Sequence, residues 1–220
     1  MSWDDVRAAI VDACRRLEGE GLVQGASGNV SVRLPSEGRD LVAITPSRVP
    51  YRALGPEQVL IIDFEGDPVE GEGVPSSETL THLAAYRARP DAGAAIHTHS
   101  VYASALAVAG QEIPAIIDEQ VVVLGGPVPV AEYGMSATED LARRAVEALG
   151  WRQAVLLRNH GVLGVGRDLG EALDVVALVE RVAKVYVLAR LLGQARPLPD
   201  EVVELEEKLF RMQHGFPVTE

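Results

Sequence analysis

The chain has 220 residues, 47% of them hydrophobic and 24% charged, so it is long enough to bury a substantial core. Its net charge of −12 argues against a nucleic acid or a membrane as partner, because both require a basic face. The single cysteine, Cys14, permits no internal disulfide, and we recognise neither a signal peptide nor a membrane-length apolar run, so we expect a cytoplasmic protein.

The first part of the chain predicts a helix followed by short strands. Apolar residues recur at helical spacing over 3–20. Strands are predicted at 29–33, 41–44 and 59–63. The stretch 65–75, rich in glycine, proline and glutamate, predicts turns. A helix then runs to about residue 88, with Ser76 or Ser77 as its N-cap.

The second part alternates strands with longer helices. Helices are predicted at 101–109, 138–149, 169–192 and 198–212, and strands at 92–98, 154–157 and 162–165. The segment 113–135 predicts irregular structure with short strands. Because no βαβ repeat is sustained, we predict a mixed sheet covered by helices, within one domain spanning 1–220.

Three histidines occur at predicted strand ends. His97 and His99 stand at i and i+2, which places both rings on one face of a strand. His160 follows another apolar strand, and Gly161 after it permits a tight turn. Three histidines form the ligand set of an open catalytic zinc site. Taken one at a time, each could equally be a core or surface histidine that binds no metal.

Glu78 has two interpretations. In the predicted first turn of a helix a carboxylate is favoured by the helix dipole, without any function. Beside a metal-bound hydroxyketone, the same carboxylate could exchange a proton with carbon or bind the metal. The residue types alone leave both open.

Three hydroxyl-bearing loops are able to bind a phosphate despite the acidic net charge. They lie at 25–29, 45–47 and 76–77, and they offer backbone N–H groups besides side-chain hydroxyls. Each alone is also typical of a simple turn or cap.

An ordered set of short strings resembles a known family. The strings are Gln24 to Arg33 (QGASGNVSVR), ITPS at 44–47, PSSE at 75–78, HTH at 97–99, IPA at 113–115 and NHG at 159–161. In this order they resemble the class II aldolase/epimerase (adducin-head-like) family, and within it most nearly the L-fuculose-1-phosphate aldolases.

The resemblance implies a three-layer α/β/α fold with a central mixed, largely antiparallel sheet. It implies a homotetramer with active sites at subunit interfaces, and one zinc ion per subunit on His97, His99 and His160. Glu78 would be the fourth ligand of the resting ion and the acid/base of the reaction. The substrate phosphate would lie against Ser27, Asn29, Ser47, Ser76 and Ser77.

The implied reaction is reversible cleavage of a ketose 1-phosphate to dihydroxyacetone phosphate and an aldehyde. The substrate would be L-fuculose 1-phosphate or a deoxy- or methylthio-pentulose 1-phosphate. Alternatives are another lyase on this scaffold, either a methylthioribulose-1-phosphate dehydratase or a 3-oxo-acid phosphate decarboxylase. Less favoured are a ribulose-5-phosphate 4-epimerase, whose aspartate would fall near Val122, and a non-catalytic scaffold, which would not need Glu78.

Three residues depart from the family pattern. Asp118 and His214 stand where the similar aldolases carry tyrosines, so we predict both as catalytic residues that handle the aldehyde half. The alternatives are a turn residue for Asp118 and a mobile tail for His214. Arg48 replaces the usual glycine, and it could reach the phosphate, block that approach or be a solvated loop charge.

Overall fold

The computed structural model describes residues 2–34 and 40–218, in which one eight-stranded sheet lies between two layers of helices. The strands are β1 (Gly28–Leu34), β2 (Leu41–Ile44), β3 (Leu60–Asp63), β4 (Pro68–Glu70), β5 (Ala94–Thr98), β6 (Val130–Ala131), β7 (Ala154–Leu157) and β8 (Gly161–Gly166). The helices are α1 (Trp3–Gly19), α2 (Thr79–Ala88), α3 (Val101–Ala109), α4 (Asp118–Leu124), α5 (Glu139–Leu149), α6 (Leu169–Leu192) and α7 (Asp200–Gln213).

The sheet has the order β4-β3-β2-β1-β5-β8-β7-β6. Every neighbouring pair is antiparallel except β6 and β7, which are parallel. The predicted α/β/α fold with a mixed, largely antiparallel sheet is therefore confirmed.

Period-two alternation along the strands divides the core between the two faces of the sheet. On β2, Val42 and Ile44 pack with α2 and α5 on one face, whereas Leu41 and Ala43 pack with α1 on the other. Helices α3 and α6 cover that second face beside β7 and β8. The described residues contain no helix with the length and apolarity needed to cross a membrane.

Two predicted loop regions are partly regular. The predicted turns at 65–75 contain the exposed edge strand β4, which pairs with β3 after a turn at Gly66. The segment 113–135 was predicted irregular with short strands; it contains helix α4 as well as β6. The three valines at 121–123 suggest a strand, but Val121 and Leu124 bury one helical face and Gly125, at φ 79°, ends the helix. Tertiary packing thus overrides the local preference.

The N-terminus of α2 also differs from the prediction. The helix begins at Thr79, so the cap position is occupied by Glu78 and not by Ser76 or Ser77. The hydroxyl of Ser76 accepts a hydrogen bond from the backbone N–H of Glu78 at 3.3 Å, and Thr79 donates its hydroxyl proton to the Ser76 carbonyl at 2.6 Å. These local bonds hold Ser76 and Ser77 in a turn before the helix, which leaves the Glu78 carboxylate free to face another element.

Candidate active site

The antiparallel register brings the three strand-end histidines to one end of the sheet. His97 lies on β5, His99 directly after it, and His160 in the turn between β7 and β8. Thr98 pairs with Val162, so the end of β5 meets the start of β8. The described residues hold one cluster of donors that could bind a metal, and it consists of these three histidines.

The histidine rings converge on one point. Nε2 of His97 lies 2.9 Å from Nε2 of His99, and one nitrogen of each ring lies within 4.8 Å of the others. The three ring centroids are 4.6 to 5.0 Å apart. Two nitrogens that bind the same zinc ion stand roughly 3.3 Å apart, given Zn–N distances of about 2.0 to 2.1 Å. The cluster therefore has the dimensions of a metal site.

The protonation of the cluster also suits a metal. His97 donates from Nδ1 to the Val162 carbonyl at 2.8 Å, which leaves the lone pair of Nε2 directed at the other rings. Burial, followed by the neighbouring His160 and His99, holds the pKa of His97 well below its usual range. Burial likewise lowers the pKa of His99 and of His160. Neutral imidazoles are the form that binds a metal, and buried Nδ1 of His160 has no hydrogen-bond partner among the described residues.

Gly161 leaves the space that the histidines occupy. A Cβ atom there would lie 2.3 Å from the Thr98 carbonyl oxygen, 3.0 Å from Cδ2 of His99 and 3.2 Å from Cε1 of His97. The left-handed residue of the turn is Asn159, at φ 57°. Glycine is thus required at 161 by close approach, whereas the sequence suggested a conformational reason.

Glu78 lies beside the histidines with both carboxylate oxygens held. Oε1 accepts a hydrogen bond from the backbone N–H of Ala137 at 3.1 Å, and Oε2 accepts one from the Thr81 hydroxyl at 2.9 Å. The residue is 3% exposed, and its negative charge opposes the effect of burial on the pKa of His160. Ala137 adopts φ 62°, an unusual conformation for alanine that aims its N–H at the carboxylate.

A cavity of about 390 Å³ joins this cluster to the three hydroxyl-bearing loops. It is lined by the three histidines and Glu78 together with Ser27, Asn29, Ser47, Ser76 and Ser77. Arg48 and Ser136 line it as well. Ser136 belongs to no motif that would reveal it in the sequence, and it precedes Ala137, whose N–H donates to Glu78.

Backbone hydrogen bonds hold two of the loops together. The N–H of Ser47 donates to the Val74 carbonyl at 2.8 Å, and the N–H of Ser76 donates to the Thr45 carbonyl at 3.2 Å. Ser27 closes its own turn, since its hydroxyl donates to the Gln24 carbonyl at 2.7 Å. The hydroxyls and amides at this end of the cavity form a polar site suited to an anion.

Known proteins resemble the chain over almost its whole length. Residues 8–187 match the family described as Class II Aldolase and Adducin N-terminal domain. The chain therefore belongs to the class II aldolase and adducin family. The family resemblance predicted from the short strings is confirmed.

Individual relatives within the family are aldolases. The 5-deoxy-D-ribulose 1-phosphate aldolase of Bacillus thuringiensis serovar kurstaki is 37% identical over 93% of this chain and 94% of its own length. The L-fuculose phosphate aldolase of Escherichia coli K12 is 36% identical over 96% of each chain. A solved structure of an L-fuculose 1-phosphate aldolase superposes with a TM-score of 0.88 and 39% identity, covering 94% of this chain and 96% of that one. This class II aldolase is thus an enzyme of the lyase class, as predicted.

Two predicted catalytic residues lie outside the cavity of their own chain. Asp118 is exposed at the first position of α4. His214 stacks on Phe210 with ring centroids 4.0 Å apart, and its Nε2 lies 3.8 Å from the Glu171 carboxylate. Glu171 follows the far end of β8, at the opposite end of the sheet from His97. The catalytic roles of Asp118 and His214 therefore stay predictions that require a neighbouring subunit.

Proposed function

We propose that this class II aldolase reversibly cleaves a ketose 1-phosphate to dihydroxyacetone phosphate and a short aldehyde. The observation that supports this most strongly is that His97, His99, His160 and Glu78 share one cavity with the hydroxyl-bearing loops. Relatives 36% to 37% identical act on L-fuculose phosphate and 5-deoxy-D-ribulose 1-phosphate. We infer the same substrate class here, namely L-fuculose 1-phosphate or a deoxy- or methylthio-pentulose 1-phosphate.

His97, His99 and His160 would hold one divalent ion per subunit, proposed to be zinc, with Glu78 as a fourth ligand in the resting enzyme. Bound there, the ion supplies Lewis-acid polarisation of the substrate carbonyl and hydroxyl oxygens. His97 contributes through its fixed tautomer, since the Val162 carbonyl keeps Nε2 available.

Glu78 moves the proton at carbon. When the bond between C3 and C4 of the ketose breaks, its electron pair stays on C3, and protonation of C3 completes dihydroxyacetone phosphate. The hydrogen bonds from Ala137 and Thr81 fix the carboxylate in position for this transfer. The C4 hydroxyl loses its proton as the aldehyde forms, and we assign that proton to Asp118 or His214 of a neighbouring subunit.

The substrate phosphate would bind at the loop end of the cavity. We assign its contacts to Ser27, Asn29, Ser47, Ser76 and Ser77, which offer side-chain hydroxyls and a carboxamide without a formal positive charge. Such contacts would allow a chain of net charge −12 to bind an anion.

A homotetramer with active sites between subunits completes the proposal. The last turns of α6 expose large apolar side chains, since Leu188 is 43%, Leu191 78% and Leu192 91% exposed. Such a surface favours contact with another copy of the chain. We further propose that the protein acts in the cytoplasm.

Aldol addition tests the proposed reaction. Zinc-loaded protein is incubated with dihydroxyacetone phosphate and, separately, acetaldehyde, lactaldehyde or glycolaldehyde, and sugar phosphates are detected by mass spectrometry. We expect a ketose 1-phosphate from at least one aldehyde, and a preference among them identifies the substrate. Chelator-treated protein is the control. If no aldehyde reacts while a ketose phosphate loses water or carbon dioxide, the protein is a different lyase.

Arg48 gives a separate prediction about the phosphate end. It lines the cavity and holds φ 63°, a conformation that costs a non-glycine residue about 1 kcal/mol. We expect Arg48→Ala and Arg48→Gly to raise KM about five- to tenfold with little change in kcat, because both remove a cation near the phosphate. Arg48→Gly should also unfold at a higher temperature than Arg48→Ala, since glycine relieves the backbone strain. A lower KM in both variants would instead show that Arg48 obstructs the cavity.

A further inference from the structure

A buried histidine outside the metal cluster contacts Asn29, a residue that lines the proposed phosphate end of the cavity. His82 lies in α2, is 0% exposed and has no role in the reaction proposed above. Its Nε2 lies 2.6 Å from Oδ1 of Asn29, and its Nδ1 lies 2.6 Å from the Ser31 hydroxyl. Both partners are on β1, and Asn29 lines the cavity.

The chain of hydrogen bonds can run in two directions. Burial lowers the pKa of His82 to about 3, so the ring is neutral and carries one N–H. Either His82 donates to the Asn29 carboxamide and accepts from Ser31, or it accepts from a reversed Asn29 carboxamide and donates to Ser31. The two directions present different atoms of Asn29 to the cavity.

Tyr86 decides between the directions. Its buried hydroxyl lies 2.8 Å from the Ser31 hydroxyl. Among the described residues, Ser31 is then the one acceptor for the Tyr86 proton.

Every later hydrogen bond follows from that first donor. Tyr86 donates to Ser31, Ser31 donates to Nδ1 of His82, and Nε2 of His82 donates to Oδ1 of Asn29. The other arrangements would leave a buried proton without an acceptor among these groups, either that of Tyr86 or, if Tyr86 and His82 both donate to Ser31, that of Ser31, which is costly.

We propose that His82 is a positioning residue that orients the Asn29 carboxamide so that its NH2 group, and not its oxygen, faces the cavity as a donor to the phosphate. This inference rests on the phosphate site proposed above. It adds a buried component, extending through Ser31 to Tyr86, that touches no substrate. Its chemistry is general for an anion, because a carboxamide turned the other way would present an acceptor and repel it.

A matched pair of variants tests the proposal. His82→Gln can place an amide nitrogen near the former Nε2 and keep the hydrogen bond to Asn29. His82→Asn is shorter, so its amide reaches Ser31 but not Asn29. The probe is inorganic phosphate, titrated by calorimetry into metal-loaded protein from which unbound metal ion has been removed. Metal content, melting temperature, KM and kcat are measured for the same samples.

We expect His82→Asn to weaken phosphate binding and raise KM about tenfold, the usual effect of one lost hydrogen bond, while kcat changes less than about threefold. His82→Gln should stay within about threefold of the wild type in both quantities. Equal phosphate affinities in the two variants at equal metal content would overturn the proposal.

Variants of Asn29 give a second test, which leaves the buried residues His82, Ser31 and Tyr86 unchanged. Asn29→Asp keeps an oxygen for His82 but turns a second oxygen toward the cavity, so phosphate should bind at least tenfold more weakly than in Asn29→Ala. Equal binding by these two variants would contradict the proposed orientation. Because phosphate binding is measured without turnover, this ordering can hold even if the protein fails the aldolase assay. If the wild type cleaves a ketose 1-phosphate but the two Asn29 variants bind phosphate equally, the role of His82 is rejected and the proposed aldolase activity is not.

Discussion

Replacing His97 with alanine is expected to release the metal and reduce aldol cleavage by at least about a thousandfold, since the polarisation of the substrate oxygens is lost. His97 is 2% exposed and supplies one of the three histidine nitrogens of the cluster. Metal content by atomic emission and kcat with a ketose 1-phosphate are the measurements. A chelator should silence the wild type to the same extent, and added zinc should restore it.

Thr98→Val is the matched control for that variant. Thr98 is the next residue on the same strand, its side chain points to the opposite face of the sheet, and its buried hydroxyl has no hydrogen-bond partner among the described residues. The change should therefore leave metal content and activity intact. If His97→Ala keeps a full complement of metal and normal turnover, the histidine cluster is not the catalytic metal site.

Glu78→Gln is expected to lower kcat by roughly 10² to 10⁴-fold while most of the bound metal is retained. The amide has the shape of the carboxylate, and its oxygen can still accept from Ala137 while its NH2 group donates to the Thr81 hydroxyl. The variant therefore removes the proton-transferring group without removing its support. Single-turnover cleavage and metal content distinguish the two effects.

Two outcomes would reject this role for Glu78. Unchanged kcat would show that another group moves the proton at carbon. Complete loss of metal, with activity recovered at high zinc concentration, would show that Glu78 serves as a ligand and not as the acid/base.

The metal cluster could be predicted from the sequence because its geometry is local. The spacing of His97 and His99 fixes both rings on one face of a strand, whatever the rest of the fold. The position of His160 needed one further assumption, that its strand lies next to β5, which the register of β5 and β8 now shows. The sequence suggested that Gly161 permits a tight turn, whereas the structure requires glycine there because Thr98 approaches closely.

The support of Glu78 could not be predicted, since it depends on a contact across 59 residues of chain. No sequence pattern shows that Ala137 adopts a left-handed conformation and donates to that carboxylate. The hydrogen bonds of His82 could not be predicted for the same reason, since Asn29 and Ser31 are distant from it in the sequence. A lone histidine in a helix looks like any core residue until Asn29 and Ser31 are found beside it.

Helix α4 was missed because tertiary packing decided it, and the exposed strand β4 because it depends on pairing with β3. Three consecutive valines favour a strand, but burial of Val121 and Leu124 on one side stabilises a helix. The single chain also cannot supply the environment of Asp118 and His214, since a partner subunit would have to bring them to the cavity.

The pairing of Asn29 with His97 across β1 and β5 fixes the distance between two residues of the cavity. Directly paired residues on antiparallel strands have Cα atoms about 5 Å apart, and their side chains point to the same face. A ladder of backbone hydrogen bonds thus sets the distance between Asn29 and His97. The proposed phosphate contact at Asn29 and the proposed metal ligand at His97 would therefore keep a fixed separation, whichever aldehyde the rest of the cavity accepts.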